Sequence, residues 1–242
     1  MGITNHTSGT RIDEIADGIH RISTPVPPSE FPGGFTFNQF LIEDDEPLLF
    51  HTGLRGIFAL VAEAIAAVLP VARLRHIAFS HVEADECGAL NDFLTAAPQA
   101  LPLCGRLAAD VSVRDLAARP PRALDDGEEV SLGRHTVRWV YTPHLPHGWE
   151  CGYLFETRTR TLLCGDLFTQ AGAVHEPLIE ADILAPSEAM RGQMDYFAHA
   201  PQTRALLDKL AALHPAVLAC MHGSSWRGDG ATLLRQLADR LG

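Results

Sequence analysis

No run of eighteen or so apolar residues, the length a helix needs to cross a bilayer, occurs anywhere in the 242 residues. The amino terminus, MGITNHTSGTRIDEIADG, has no apolar stretch and no small-residue cleavage site, which argues against a secretory leader. His6 stands where an N-myristoylation signal needs Ser or Thr. Cysteine is sparse: Cys87, Cys104, Cys151, Cys164 and Cys220 are odd in number and contain no CxxC pair. That set suits a reducing compartment better than a disulfide framework, so a cytoplasmic location is expected. Excess positive charge is also missing. The formal net charge is −11, and such a surface repels phosphate backbones and acidic lipid, so neither nucleic acid nor membrane is an expected partner. There is no internal repeat, and Ser224 and Ser225 lack the GxSxG frame of a serine nucleophile.

What remains is the pattern of one globular α/β chain. Strand-like runs fall at IHRIS (19–23), FTFNQFLIE (35–43) and PLLFHT (47–52), the last two joined by a turn at Asp44–Glu46. An amphipathic helix with Ile57, Leu60, Val61, Ala64, Ile65 and Val68 on one face ends before Pro70. RHIAFS (75–80) reads as a buried strand, 88–97 as a helix and ALPLC (100–104) as a strand, while 105–134 carries no clear period. Strands resume at HTVRWVYT, CGYLFET and TLLCG. The helix TRALLDKLAALH, the strand AVLAC and the helix ATLLRQLADRL follow. Clustered strands with helices between them predict two packed sheets flanked by helices. The expected organisation is a single domain over 1–242, with 1–18 as a loosely ordered lead-in.

The chemistry concentrates at HVEADE, residues 81–86. In an extended chain alternate residues share a face, so His81, Glu83 and Asp85 would converge just past a strand end. Alone, such a triplet is more often a solvated polar loop. Three further ligand-type residues change the balance: His147 in YTPHLPHGWE, Asp166 in LLCGDLF and His222 in LACMHGSSW each follow an apolar run directly. Strand ends are where sites collect on α/β scaffolds. His144 competes with His147 for the second histidine position. Carboxylates are hard donors that suit iron or manganese better than an all-imidazole site, which favours zinc.

The order HxExD…His…Asp…His resembles the metal-binding pattern of the metallo-β-lactamase superfamily. It is most similar to the di-iron domain of flavodiiron proteins and to stand-alone oxygen-binding di-iron proteins, in which a Glu replaces the second His of the zinc hydrolases. The resemblance covers nearly the whole chain: FTFNQFLI and PLLFHTG look like the opening hairpin, GDLF the bridging-aspartate strand, and DYFAHAP (195–201) a Tyr-bearing helix over the metals. It implies a four-layer αββα sandwich holding two iron ions. His81, Glu83 and His147 would ligate one iron, Asp85 and His222 the other, and Asp166 would bridge them, with Tyr196 lining the substrate pocket. It implies binding or reduction of O2, NO or peroxide, with electrons from a separate donor protein, since no flavodoxin domain is expected beyond Gly242. A homodimer is an open expectation. The alternative is a dinuclear metallohydrolase acting on esters or thioesters with zinc or manganese. Two positions depart from the family pattern: Glu86 stands where most members have His, as a candidate additional ligand, and Cys87 replaces a small polar residue. His51, where many relatives carry Asp, is expected to hydrogen-bond a ligand.

Overall fold

The structure, a computed structural model, describes residues 2–242. It contains two sheets that divide the chain in sequence. The first holds β1 (Gly2–Ile3), β2 (Arg11–Ala16), β3 (Ile19–Val26), β4 (Phe35–Ile42), β5 (Leu48–Phe50), β6 (His76–Ala78), β7 (Leu101–Gly105) and β8 (Arg122–Leu124), ordered as in the chain. The second runs β13-β15-β14-β12-β11-β10-β9. These are β9 (Glu129–Ser131), β10 (Thr136–Tyr141), β11 (Gly152–Glu156), β12 (Thr161–Leu163), β13 (Leu178–Ile179), β14 (Val217–Ala219) and β15 (Ser225–Arg227). The main chain crosses from one sheet to the other once, between Leu124 and Glu129.

Three buried clusters define the layers. Between the sheets, Phe40, Phe50, Ala78 and Leu103 meet Trp139, Leu154, Leu163 and Ala219. On the outer face of the first sheet, Ile22, Leu41 and Ile77 pack against Val61 and Ile65 of α1 (Phe58–Ala66) and Phe93 and Leu94 of α3 (Leu90–Ala96). On the outer face of the second, Phe155, Leu162 and Leu218 pack against Leu207, Leu210, Leu234 and Leu237 of the helices Thr203–Ala211 and Gly230–Leu241. The architecture is the expected αββα sandwich. Each fully buried Leu or Phe contributes about 1.5–3 kcal/mol, so the three clusters, not local propensity, hold the layers together. Trp139 fills the middle layer because Gly152, diagonal to it on β11, has no side chain; a Cβ there would come within 2.3 Å of the indole.

One expectation is corrected. Residues 1–18 are not a loose lead-in: β2 pairs with β3 from Arg11↔Ser23 to Ala16↔Ile19, and β1 pairs with β2; Met1 lies outside the described residues. The charges of RIDEIA disguise the strand, because Ile12 faces the helix layer and Ile15 the opposite sheet. The weakly patterned stretch after Gly105 is helical over 106–116. Val113 there is buried while Val111 and Leu116 are exposed, so no single apolar face marks it in the sequence. Among the described residues no helix is long and apolar enough to cross a membrane.

Candidate metal centre

The candidate ligands leave the sandwich at one edge, each following the end of a strand: His81 after β6, His147 after β10, Asp166 after β12 and His222 after β14. β12 and β14 are parallel neighbours, with Leu163 opposite Ala219, so Asp166 and His222 emerge side by side. The first ligand loop departs from the extended reading. Glu83 is extended, with φ −138° and ψ 162°, but Ala84–Cys87 then forms one helical turn, α2. Simple alternation would turn Glu86 away from its neighbours; the turn instead buries it completely.

All six expected ligands converge, in two groups. His81 Nε2 and His147 Nε2 lie 2.9 and 3.0 Å from the same oxygen of Glu83, and 3.8 and 3.4 Å from Asp166 Oδ2. On the other side, His222 Nε2 lies 3.4 Å from Asp166 Oδ1 and 3.5 Å from Asp85 Oδ2. Asp166 thus faces one group with each carboxylate oxygen. His144 is not among them; its backbone, at φ 65°, closes the loop onto Gly148 instead.

Each imidazole is held from behind through Nδ1. His147 Nδ1 donates to the Tyr196 carbonyl and His222 Nδ1 to the Thr36 carbonyl, both at 2.7 Å. His81 Nδ1 meets Ser80 Oγ at 3.0 Å, and Ser80 Oγ meets His51 Nε2 at 3.1 Å. His51 therefore supports a ligand through one hydroxyl, close to the role expected of it. A carbonyl accepts only, so in the neutral rings of His147 and His222 the proton sits on Nδ1 and the Nε2 lone pair points inward. Lone pairs aimed at three carboxylates repel them unless a cation lies between. Orienting bonds of this kind are the usual support of metal-ligating histidines.

The electrostatics agree. Burial opposes charge on His81, but the Cys151 thiol, Glu83 and the Glu86 and Asp166 carboxylates outweigh it and raise its pKa well above the ordinary value. His147 and His222 are raised against burial by Glu83 and Asp166 respectively. Hydrogen bonds from His147 and His81 hold Glu83 down to about 2. Asp166 is held below the carboxylate range despite its burial by His222, His81 and His147. Without metal, the centre collects protons where cations would sit. The donor set, with three imidazoles and carboxylates shared between two groups, fits two metal ions of intermediate to hard character.

Several supporting residues were not visible in the sequence. Phe35 stacks on the His222 ring, with centroids 4.2 Å apart. Glu150, nearly buried, accepts the Val82 amide at 2.8 Å and ties the first ligand loop to the His147 loop. Gly148 (φ 74°) lets that loop pass His81: a Cβ would stand 3.0 Å from His81 Cβ. Nothing in the residue types singles out Thr36, Phe35 or Glu150. Tyr196 does line the cleft of about 490 Å³ over the ligands, with Phe35, Thr169, Met194 and Phe197. It lies in irregular chain after the helix Leu184–Gln193, however, because that helix stops before the expected DYFAHAP segment. Its hydroxyl turns toward Ser187 at 3.5 Å, and burial raises its pKa to about 12. Cys87 is partly exposed, its thiol donating to the Glu83 carbonyl, and the other four cysteines are buried, as expected of core residues. A larger groove of about 940 Å³ along Pro25–Phe31 and Ala173–His175 holds none of the candidate ligands.

An αββα sandwich with ligand loops gathered at one edge of both sheets defines the metallo-β-lactamase-like class. Within that class the chain belongs to the ODP family of beta-lactamases, whose pattern matches residues 35–223. It is 26% identical over 208 residues to the rubredoxin-oxygen oxidoreductase of Megalodesulfovibrio gigas, covering 81% of this chain and 50% of that protein. It is 23% identical over 216 residues to the nitric oxide reductase of Moorella thermoacetica, covering 85% and 53%. The chain thus spans about half the length of these two relatives. Among solved structures, the metal-soaked flavodiiron core from Synechocystis sp. PCC6803 superposes with a TM-score of 0.83 at 22% identity, over 96% of this chain and 60% of that one. A fragment (1–254) of the putative diflavin flavoprotein A 5 from Nostoc sp. PCC 7120 gives 0.82 at 17%, over 96% and 94%.

Proposed function

We propose that this chain is a non-haem di-iron oxidoreductase domain that reduces O2 or NO, with peroxide as a further substrate, using electrons from an external donor protein in a reducing compartment. His81, Glu83 and His147 would hold one iron and Asp85 and His222 the other, with Asp166 shared between them. The observation that carries this reading is Asp166, whose two oxygens face two separate imidazole–carboxylate groups. Two bound irons would supply one electron each and an open position for a diatomic molecule.

The protein's own part is orientation and exclusion. Ser80, Tyr196 and Thr36 fix the three imidazoles, so the lone pairs are aimed before any ion arrives. Phe35, Phe197 and Tyr196 wall the cleft with aromatic surface, which admits a small apolar molecule and limits water. Three carboxylate ligands favour the oxidised state of the ions and lower the Lewis acidity on which a hydrolase depends. The names of the relatives point the same way.

The test is anaerobic reconstitution with Fe(II), a metal count, then exposure to O2 or NO in a stopped-flow spectrometer. Two irons per chain and rapid oxidation are expected, with turnover stalling after one round unless a reductant or redox partner is added. Purification with zinc and hydrolysis of thioesters or phosphoesters at roughly 1–10³ per second would overturn the proposal in favour of the hydrolase.

A further inference from the structure

Glu86 is fully buried, and neither of its carboxylate oxygens has a hydrogen-bond partner. One of those oxygens lies 4.0 Å from His81 Nε2, and His81, Glu83 and Glu86 each offer a donor atom within 4.8 Å of the others. An acid that is merely core would be expected to find a backbone amide or a hydroxyl, because a buried polar group without a partner is costly. Glu86 has neither. Its surroundings are the other members of the centre.

We infer that Glu86 is a further protein ligand of the dimetal centre, its carboxylate lying beside His81 and Glu83 and its backbone in the same helical turn as Asp85. The inference rests on the dimetal reading above and goes beyond it in two respects. The first is coordination number. The group around His81 has four protein donors, His81, Glu83, His147 and Asp166 Oδ2, whereas the other has three, Asp85, His222 and Asp166 Oδ1. Ions bound by nitrogen and oxygen take four to six donors, and Glu86 leaves the same helical turn as Asp85. The second is charge. Glu83, Asp85, Glu86 and Asp166 together carry four negative charges, which match two divalent ions. A buried centre of that composition is neutral in its reduced form, and taking up a further positive charge on oxidation is then less opposed. With Glu86 left out, the protein would hold an unmatched acid beside an unmatched cation.

The variant to make is Glu86→Gln, which keeps the shape and removes the charge. Metal-free protein is titrated anaerobically with Fe(II), or with Mn(II) as a redox-silent probe, and bound metal is counted by elemental analysis. Wild type should hold two ions. Glu86→Gln should hold one tightly, with affinity for the second reduced by about 100-fold or more, the upper end of what a lost supporting contact costs. The metal-free variant should unfold at the same temperature as metal-free wild type or higher, since an unpartnered acid has been removed, but gain less on adding metal. A purely structural Glu86 would give the reverse: a less stable apo protein and unchanged stoichiometry. Should Glu86→Gln fold poorly, Glu86→His supplies a different ligand at that position, and recovery of the second ion there, but not in Glu86→Ala, makes the same decision. Two ions bound by Glu86→Gln with wild-type affinity overturn this inference and leave the dimetal reading standing. Failure of wild type itself to bind two ions overturns both.

Discussion

The ring of Phe35 lies against the ring of His222, centroids 4.2 Å apart and planes 28° apart, while the next residue, Thr36, accepts the His222 Nδ1 proton. One short piece of β4 therefore fixes both the plane and the rotation of a ligand that arrives from the far end of the sequence. Replacing Phe35 with Ala removes the plane but keeps the hydrogen bond. Metal affinity at the group containing His222 should fall by about 10-fold, the lower range for supporting contacts, and the fold should survive. A competition titration with a chelator of known affinity would measure it; unchanged affinity would mean the stacking is packing alone.

Asp166→Ala should behave differently from every other ligand variant. It removes an oxygen from both groups at once, so both ions should be lost together instead of one. Elemental analysis of the purified variant distinguishes zero from one. Retention of two ions would show that Asp166 does not bridge.

Gly148→Ala tests the loop that carries His147. A left-handed residue other than glycine costs roughly 1–2 kcal/mol, and the added methyl meets His81 at 3.0 Å. We expect that loss in denaturant unfolding, accompanied by weaker metal binding. A stability loss with metal binding intact would mean that the loop yields without moving His81.

Stripping the metal should lower thermal stability. Each ion present at 100 times its dissociation constant stabilises by about 2.7 kcal/mol, so two correspond to a midpoint shift of about 10–20 °C for a chain of this size. Calorimetry before and after chelation, with re-addition as control, reads it directly.

The pH dependence of the metal-free fold should involve Asp44. Burial favours its neutral form, but the amides of His135, Arg134 and Asp45 outweigh burial and hold its pKa below the usual value; the His135 amide is 2.6 Å away. A carboxylate depressed on folding contributes stability above its unfolded pKa and loses it as pH falls through the folded value. Asp44→Asn should therefore cost about 1–2 kcal/mol at neutral pH. The difference from wild type should shrink below about pH 4, where the unfolded-state carboxyl is protonated. A difference that stays constant from pH 7 to pH 3 would assign the cost to shape, not charge.

Much of this molecule is legible in the sequence, for identifiable reasons. β4, β6 and β10 show themselves because their apolar runs are bounded by turns; of the six proposed ligands, His81, His147, Asp166 and His222 do so because each follows such a run, and Glu83 and Asp85 because they alternate with His81. The strand Arg11–Ala16 hides because its isoleucines face different layers. The helical turn at Ala84–Cys87 hides because four residues are too few to show a period, and with it goes the burial of Glu86. Tyr196 stands outside any helix: the segment 195–201 resembles a Tyr-bearing helix, but the helix before it stops at Gln193. The supporting shell was invisible for another reason: Thr36 contributes a carbonyl, which every residue has, and Glu150 contributes one oxygen to an amide that only the tertiary fold brings near.

The single crossing between Leu124 and Glu129 divides evenly the six residues proposed above to hold the irons, with Glu86 adding to the first half. His81, Glu83 and Asp85 precede it, and His147, Asp166 and His222 follow it. Neither half alone carries a complete set for either ion, so metals held by both would act as a clasp added to the core already packed between the two sheets. A chain cut within residues 125–128 would yield two fragments whose reunion could be followed by metal uptake alone.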